Sequence, residues 1–256
     1  MEDHDLRAAA RAAGAYVPDP GRAPVPLALP FLGTWTVQNS PATRVPSHGT
    51  HLLGETFAID FVAVDRGGRT APVRDWRTAV GTEPPERFFG FDQPILAPAS
   101  GTVVAVHDGE PDHRARRSPL TLVPYMLTQA GRLRQGLGTV AGNHVILSLG
   151  SSGPYVGLVH LRRGSLLVRP CDEVTAGRPI ARCGNSGNST QPHVHVQVMD
   201  SAELLRARGL PMAFSRYRTA RRRGGQTQDV ALGMPRDGDI VEPLPGRDPV
   251  EPMPGS

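Results

Sequence analysis

The stretch "TQPHVHVQVMD", residues 190–200, carries valine at every second position from Val194 to Val198. Side chains in a β-strand point alternately to opposite faces, so this spacing predicts a strand with one apolar, buried face. His193 and His195 would then share the other face, about 6.6 Å apart along the strand. Two such imidazoles are typical of a metal site, of a phosphoryl carrier, or of polar residues on the solvated face of a sheet. The spacing by itself leaves all three open.

Six further segments contain short runs of Val, Ile and Leu bounded by turn residues, and several show the same alternation. They are residues 25–39, 55–64, 94–109, 143–150, 155–161 and 165–184. The 256 residues include 29 Gly and 26 Pro, and no long amphipathic helix separates the segments. We therefore predict a mostly β protein, with an antiparallel sandwich or barrel-like core, long loops and few short helices.

The chain divides into three parts by composition. Residues 1–24 are expected to be a short helix or loose lead followed by a Pro-rich linker, and residues 244–256 a loose Pro/Gly-rich tail. A single β domain is predicted for residues 25–243. Residues 110–141 break the strand pattern and are predicted to form an insertion. The stretch "AELLRARGL", 202–210, is predicted to be a short helix.

Charge and hydropathy exclude several classes of protein. The formal net charge is only +4, and every one of the 28 basic residues is Arg. The basic stretch "RYRTARRR", 216–223, has few interleaved aromatic residues, so we interpret it as a solvated loop and expect no nucleic-acid partner. No apolar run approaches the roughly 20 residues that a membrane span requires. The first residues lack the apolar core of a signal peptide, which predicts a cytoplasmic protein and leaves export by another route open.

The two cysteines, Cys171 and Cys183, do not have the spacing of a zinc clip. In a reducing compartment two free thiols are expected, and a disulfide across the intervening turn is the alternative.

A second His-rich stretch, "HGTHLLGETFAIDFV", covers residues 48–62. Asp60 stands there in an otherwise apolar strand, where a carboxylate is costly unless it is paired or binds a metal. Pairing with an arginine or with backbone N–H groups is the structural alternative. A catalytic zinc needs three protein ligands, and His48 and His51 compete to supply one from this loop. His160, in "GLVHLRRG", is another imidazole in an apolar strand, where it either bonds to a carbonyl or faces a cavity.

In this order the motifs resemble the lysostaphin-type zinc metallopeptidases, with a resemblance that spans about residues 25–200. It extends to residue 243 if "GLPMAF" and "GDIVEP" add closing strands. The most specific stretches are "ILAPASGTV" and "GNSGNSTQPHVH", and the others are "GTHLLGETFAID", "GNHVILSLG" and "YVGLVHL". The departures are the nine-residue separation of His51 from Asp60, the ending "VHVQV", and the insertion.

The resemblance implies a role for five residues. His51, Asp60 and His195 would hold one zinc ion, with His48 as the alternative first ligand. His160 and His193 would be the catalytic imidazoles, and which of them acts as the base stays open.

The resemblance further implies a zinc-dependent amide hydrolase, a metalloendopeptidase acting on peptidoglycan-type or small peptide cross-links. Two alternatives from other classes remain. One is a catalytically inactive binding or regulatory module on the same scaffold. The other is a phosphocarrier domain with two facing histidines, which would leave Asp60 without a role. The oligomeric state is not predicted.

Overall fold

The computed structural model describes residues 16–19, 21–73, 75–118, 120–121, 140–221 and 225–245, which are mostly β-structure, as predicted. The strands are β1 (Val25–Ala28), β2 (Trp35–Gln38), β3 (Ile59–Ala63), β4 (Pro94–Leu96), β5 (Gly101–His107), β6 (Asn143–Ser148), β7 (Tyr155–Leu161), β8 (Glu173–Val174), β9 (Pro179–Arg182), β10 (Val194–Met199), β11 (Met212–Ala220), β12 (Thr227–Gly233) and β13 (Ile240–Pro243). The helical segments are α1 (Trp76–Val80) and 3-10 segments at Leu52–Phe57 and Pro85–Arg87. Within these residues no helix combines the length and the apolar character needed to span a membrane.

One large sheet dominates the fold. Its strands follow the order β1-β11-β13-β2-β3-β10-β7-β6-β5-β8, and β12 also pairs with β11. Strand β1 runs parallel to β11, and the other pairs are antiparallel. Strands β4 and β9 form a separate small sheet. Ile95 of β4 and Ile180 of β9 share a single core with Phe61 of β3 and Leu158 of β7. The small sheet therefore covers part of the apolar face of the large one.

Strand β10 lies between β3 and β7 and positions the candidate site. Its three valines are buried in the main core, as the alternation predicts. Its other face carries His195, which lies directly opposite Asp60 of β3 and opposite Val159 of β7. The strand register therefore brings together a carboxylate and an imidazole that are 135 positions apart in sequence.

The predicted helix at 202–210 is wrong. The chain makes a single turn there, in which the Glu203 carbonyl accepts hydrogen bonds from the N–H groups three and four residues later. It then returns to the sheet, because the Leu210 N–H donates to the Val198 carbonyl at 2.8 Å. Because the chain pairs with β10 at this point, a second helical turn does not form.

The basic stretch was predicted to be a loop, but most of its described part is a strand. Residues 216–220 belong to β11, and Arg218 there pairs with Asp229 of β12 at 2.7 Å. The many arginines conceal the strand pattern in the sequence, because they leave few apolar residues to show the alternation of a β-strand. Residues 222–223 lie outside the described chain.

Predictions were also made for the closing strands and the two cysteines. "GLPMAF" and "GDIVEP" do contribute the closing strands β11 and β13. Cys171 is exposed, Cys183 is buried, and both are free thiols. Much of the lead, insertion and tail lies outside the described residues, so the domain limits stay a prediction.

Candidate metal centre

The carboxylate of Asp60 is surrounded by imidazoles. Asp60 is only 6% exposed. Its Oδ1 lies 2.9 Å from Nδ1 of His195 and 3.5 Å from Nε2 of His193. Its Oδ2 lies 3.1 Å from Nε2 of His48 and accepts a hydrogen bond from Nδ2 of Asn39 at 2.7 Å. A buried charge that sequence analysis singled out therefore has ring nitrogens as its main partners.

The donor atoms of His48, Asp60 and His195 lie close enough together that one metal ion could contact all three. All three lie within 4.8 Å of one another. Ligands about 2.0–2.2 Å from one tetrahedral zinc lie about 3.3–3.6 Å apart. The observed carboxylate–imidazole distances of 2.9 and 3.1 Å are within a few tenths of that spacing. Two nitrogen donors and one oxygen donor are also the ligand types that zinc accepts.

The structure places His51 outside this cluster. Its Nδ1 lies 2.9 Å from Oγ1 of Thr56, and its ring packs edge-on against Tyr16 with centroids 5.6 Å apart. Its alternative, His48, takes the position beside Asp60. Between these two histidines and β3, the backbone adopts left-handed conformations at Leu53 and Gly54. The spacing of residues in the sequence does not reveal such a turn.

The rings of His193 and His160 face the same cluster, with centroids 4.8 Å apart. Nδ1 of His193 lies 2.8 Å from the Gln191 carbonyl, and Nδ1 of His160 lies 2.9 Å from the Ser186 carbonyl. A carbonyl oxygen only accepts hydrogen bonds, so each Nδ1 carries the proton. When either ring carries a single proton, its lone pair is therefore on Nε2.

A bulge in β7 turns His160 toward the site. Asn143 of β6 lies opposite Leu161, whereas Val145 lies opposite Leu158, so two residues of β7 face one of β6. The backbone of His160 has a φ of 64°, a conformation that residues other than glycine adopt rarely. Bulges of this kind re-aim a side chain.

His48 is oriented by a relay that ends on a carbonyl. Its Nδ1 lies 3.1 Å from Oγ of Ser47, and that hydroxyl donates to the Glu55 carbonyl at 3.1 Å. Because the hydroxyl proton is used there, the Ser47 oxygen accepts from Nδ1–H of His48. When the ring carries a single proton, its lone pair is therefore on Nε2, the atom that faces Asp60.

Burial and charge shift the pKa values of this cluster in different directions. Burial alone would raise the pKa of the Asp60 carboxyl, but the charges of His48 and His193 and hydrogen bonds from His193 and His195 hold it well below its usual value. The pKa of His160 is lowered well below its usual value, first by burial and then by repulsion from His193 and His195. Burial lowers the pKa of His195, and its bond to Asp60 outweighs that effect and raises it. Asp60 is accordingly ionised and His160 neutral near pH 7.

The cluster lies in a cleft of about 260 Å³. The walls combine the five residues above with polar and apolar side chains from the loops on either side. These include Asn39, Arg44, Thr50, Glu55, Asn188, Thr190 and Leu204. An extended chain with polar main-chain groups can find both donors and acceptors here.

Three further residues that were not predicted from the sequence contact the site residues: Asn39, Ser47 and Gln197. Gln197 had a usable signal, because it lies two positions after His195 and so on the same face of β10. Asn39 had none, since its place beside Asp60 depends on the pairing of β2 with β3.

Comparison with known families agrees with the motifs. The model of peptidase family M23 matches residues 126–206. This segment contains His160, His193 and His195, and His48 and Asp60 precede it. The match confirms the resemblance to the lysostaphin-type peptidases.

Three solved structures with remote similarity also come from M23 proteins. The catalytic domain of lysostaphin from Staphylococcus simulans is 18% identical, with 70% of this chain and 88% of that chain covered and a TM-score of 0.35. The deep-sea M23 metalloprotease pseudoalterin is 14% identical, with coverage of 84% and 94% and a TM-score of 0.40. A mutant catalytic domain of a prophage-encoded M23 protein from Enterococcus faecalis is 17% identical, with coverage of 60% and 73% and a TM-score of 0.35.

Proposed function

We propose that this chain, which resembles peptidase family M23 over residues 126–206, is a zinc-dependent amide hydrolase. One observation carries the proposal: the donor atoms of His48, Asp60 and His195 converge within 4.8 Å of one another. Two further imidazoles, His160 and His193, face the same point from one side. An ion pair or a folding contact would need no more than one of these rings.

His48, Asp60 and His195 would hold one zinc ion through Nε2, a carboxylate oxygen and Nδ1. When bound, the ion supplies Lewis-acid polarisation of an amide carbonyl and of a water molecule. Asn39 donates a hydrogen bond to Oδ2 of Asp60, and the ionised carboxylate would contribute the negative charge of the ligand set.

His193 and His160 would handle protons through Nε2. Each has its Nδ1 proton directed at a carbonyl, so the free lone pair can take a proton from an attacking water molecule. A ring that has gained the proton can stabilise the oxyanion or pass the proton to the leaving amine. Because the pKa of His160 is lowered, this ring is neutral and able to accept a proton at neutral pH.

The proposed substrate is a peptide cross-link of the peptidoglycan type, or a small peptide of similar shape. The support is the family resemblance together with a cleft that offers Arg44 and Glu55 as well as neutral polar groups. In the phosphocarrier alternative, a phosphoryl group on His193 would sit beside the ionised Asp60, which disfavours it.

Two histidines three positions apart provide a matched test. His48→Ala should lower zinc affinity and the rate of peptide-bond cleavage by about 10³-fold or more, because it removes a ligand. His51→Ala, the control, should change both by less than about threefold, since His51 contacts Thr56 and Tyr16 instead. Zinc is measured by competition with a chromophoric chelator, and cleavage with purified cross-linked muropeptides.

The proposal is wrong if the wild-type protein binds no zinc. Wild-type protein that binds zinc and glycan but cleaves no peptide bond would support the inactive binding module instead. Loss of zinc in His51→Ala with full retention in His48→Ala would return the first ligand to His51.

A further inference from the structure

Gln197 contacts both segments that carry the proposed ligands. It lies on β10 two residues after His195, is 3% exposed, and has its Oε1 2.9 Å from Nε2 of His195. Its Nε2 donates to the Leu53 carbonyl at 2.8 Å. Leu53 belongs to the segment that follows His48.

The Leu53 carbonyl decides which way this amide points. A backbone carbonyl accepts hydrogen bonds and cannot donate, so the NH₂ group of Gln197 must face it. The amide oxygen then faces His195, and its only possible partner there is an N–H on Nε2 of the ring. A proton held on Nε2 leaves Nδ1, the atom that faces Asp60 at 2.9 Å, as the only ring nitrogen that can bind a metal ion. One carbonyl on a loop thereby selects the ligand nitrogen of a histidine on the sheet.

The carbonyl points inward because the backbone of Leu53 has a φ of 56° and that of Gly54 a φ of 81°. A Cβ on Gly54 would lie 2.7 Å from Cγ of Met199, so glycine is required where this turn meets β10. Packing of Gly54 against Met199 therefore stabilises the turn whose carbonyl Gln197 contacts. Met199 lies two positions after Gln197 and so on the same face of β10.

We propose that Gln197 is a positioning residue that fixes the tautomer of His195 and ties β10 to the loop carrying His48. This inference rests on the proposed zinc site. An amide does both jobs, since it accepts at one end and donates at the other. A carboxylate at this position would keep the bond to His195 and lose the one to Leu53, and an apolar side chain of the same length would lose both.

The test compares Gln197→Met and Gln197→Glu with Gln228→Met, a control on exposed β12. Partners of this kind are typically worth about 10–100-fold in metal affinity. Gln197→Met should lose that factor in zinc affinity, measured by chelator competition. Gln197→Glu should lose less than about tenfold, and the control should stay within about twofold.

A second readout does not depend on turnover. In ¹⁵N-labelled zinc protein, NMR should show a slowly exchanging Nε2–H on His195 in wild type and in Gln197→Glu, and its loss in Gln197→Met. Circular dichroism and urea unfolding establish that each variant is folded.

The outcomes separate the two proposals. If wild type binds no zinc, the proposed function fails. If wild type binds zinc and Gln197→Met binds it equally tightly, the role of Gln197 is overturned while the zinc site stands. A fast-exchanging His195 Nε2–H in the wild type, or a proton on Nδ1, overturns the tautomer assignment. If Gln197→Met does not fold, the Gln197→Glu spectrum and affinity decide.

Discussion

Glu83 and Asp60 are two of the three carboxylates buried in the described part of this protein, and their partners differ. Glu83 is 1% exposed, and its two oxygens each lie 2.7 Å from the guanidinium of Arg117. Arg117 also stacks over Phe88. The ion pair of Glu83 with Arg117 therefore holds two segments of the chain together. Asp60 is 6% exposed and, among the described residues, has ion-pair partners that are all imidazoles. An arginine satisfies a buried charge permanently, whereas an imidazole can also lose its proton and offer the freed lone pair to a metal ion.

The largest contrast is expected in zinc binding. Asp60→Ala should abolish zinc-dependent stabilisation and lower peptide cleavage by about 10³-fold or more, because it removes the only anionic ligand. In wild type, zinc at about 1,000 times its dissociation constant should stabilise the fold by about 4 kcal/mol. Differential scanning calorimetry with and without zinc measures this difference.

Glu83→Gln is the matched control for that experiment, with zinc affinity and cleavage expected within about twofold of wild type. A zinc response that survives Asp60→Ala would contradict the distinction between the two carboxylates.

A smaller effect, on folding alone, is expected at the other carboxylate. Glu83→Ala should lower the free energy of unfolding by about 3–5 kcal/mol, since it leaves Arg117 partly buried without its partner. Urea unfolding of the metal-free protein measures it. Arg218→Ala, which breaks an exposed pair with Asp229, is the surface control and should leave the urea midpoint almost unchanged. Equal shifts for the two variants would mean that Glu83 contributes no more than a surface charge.

The smallest effect is a pH dependence of the Glu83 contribution. Burial raises the pKa of this carboxyl, but the hydrogen bonds and charge of Arg117 outweigh it and lower the pKa below its usual value. A lowered folded-state pKa gives stability that is present above the unfolded-state pKa, about 4.3, and is lost as pH falls through the folded-state value. The stability gap between wild type and Glu83→Gln should therefore be constant from pH 7 to 5 and shrink below about pH 4.3.

Urea midpoints at half-unit pH intervals follow this gap. If the gap widens on acidification, the pKa of Glu83 is raised in the folded protein. The ion pair with Arg117 then does not control this pKa.

Much of the fold was predictable because its signal is local. The alternation in β10 identifies the strand and its buried face, and the misplaced charge at Asp60 identifies the centre of the site. The predicted helix at 202–210 failed because pairing with β10 outweighs local propensity there.

The choice between His48 and His51 was not predictable, because it depends on left-handed turns at Leu53 and Gly54. Leucine gives no sign that it will adopt such a conformation. The position of Asn39 beside Asp60 was not predictable for a related reason, because the register of β2 against β3 depends on the whole sheet.

The hydrogen bonds that orient the rings also set the electrostatic character of the cleft. The protons on His48, His160, His193 and His195 are each directed at an oxygen outside the cluster. What remains on the inside is the second nitrogen of each ring, and these nitrogens are gathered near one carboxylate. Each inward nitrogen can hold either a proton or a metal ion, so protons and a small divalent cation would compete for the same positions. The four outward hydrogen bonds thus decide which nitrogens face the cleft.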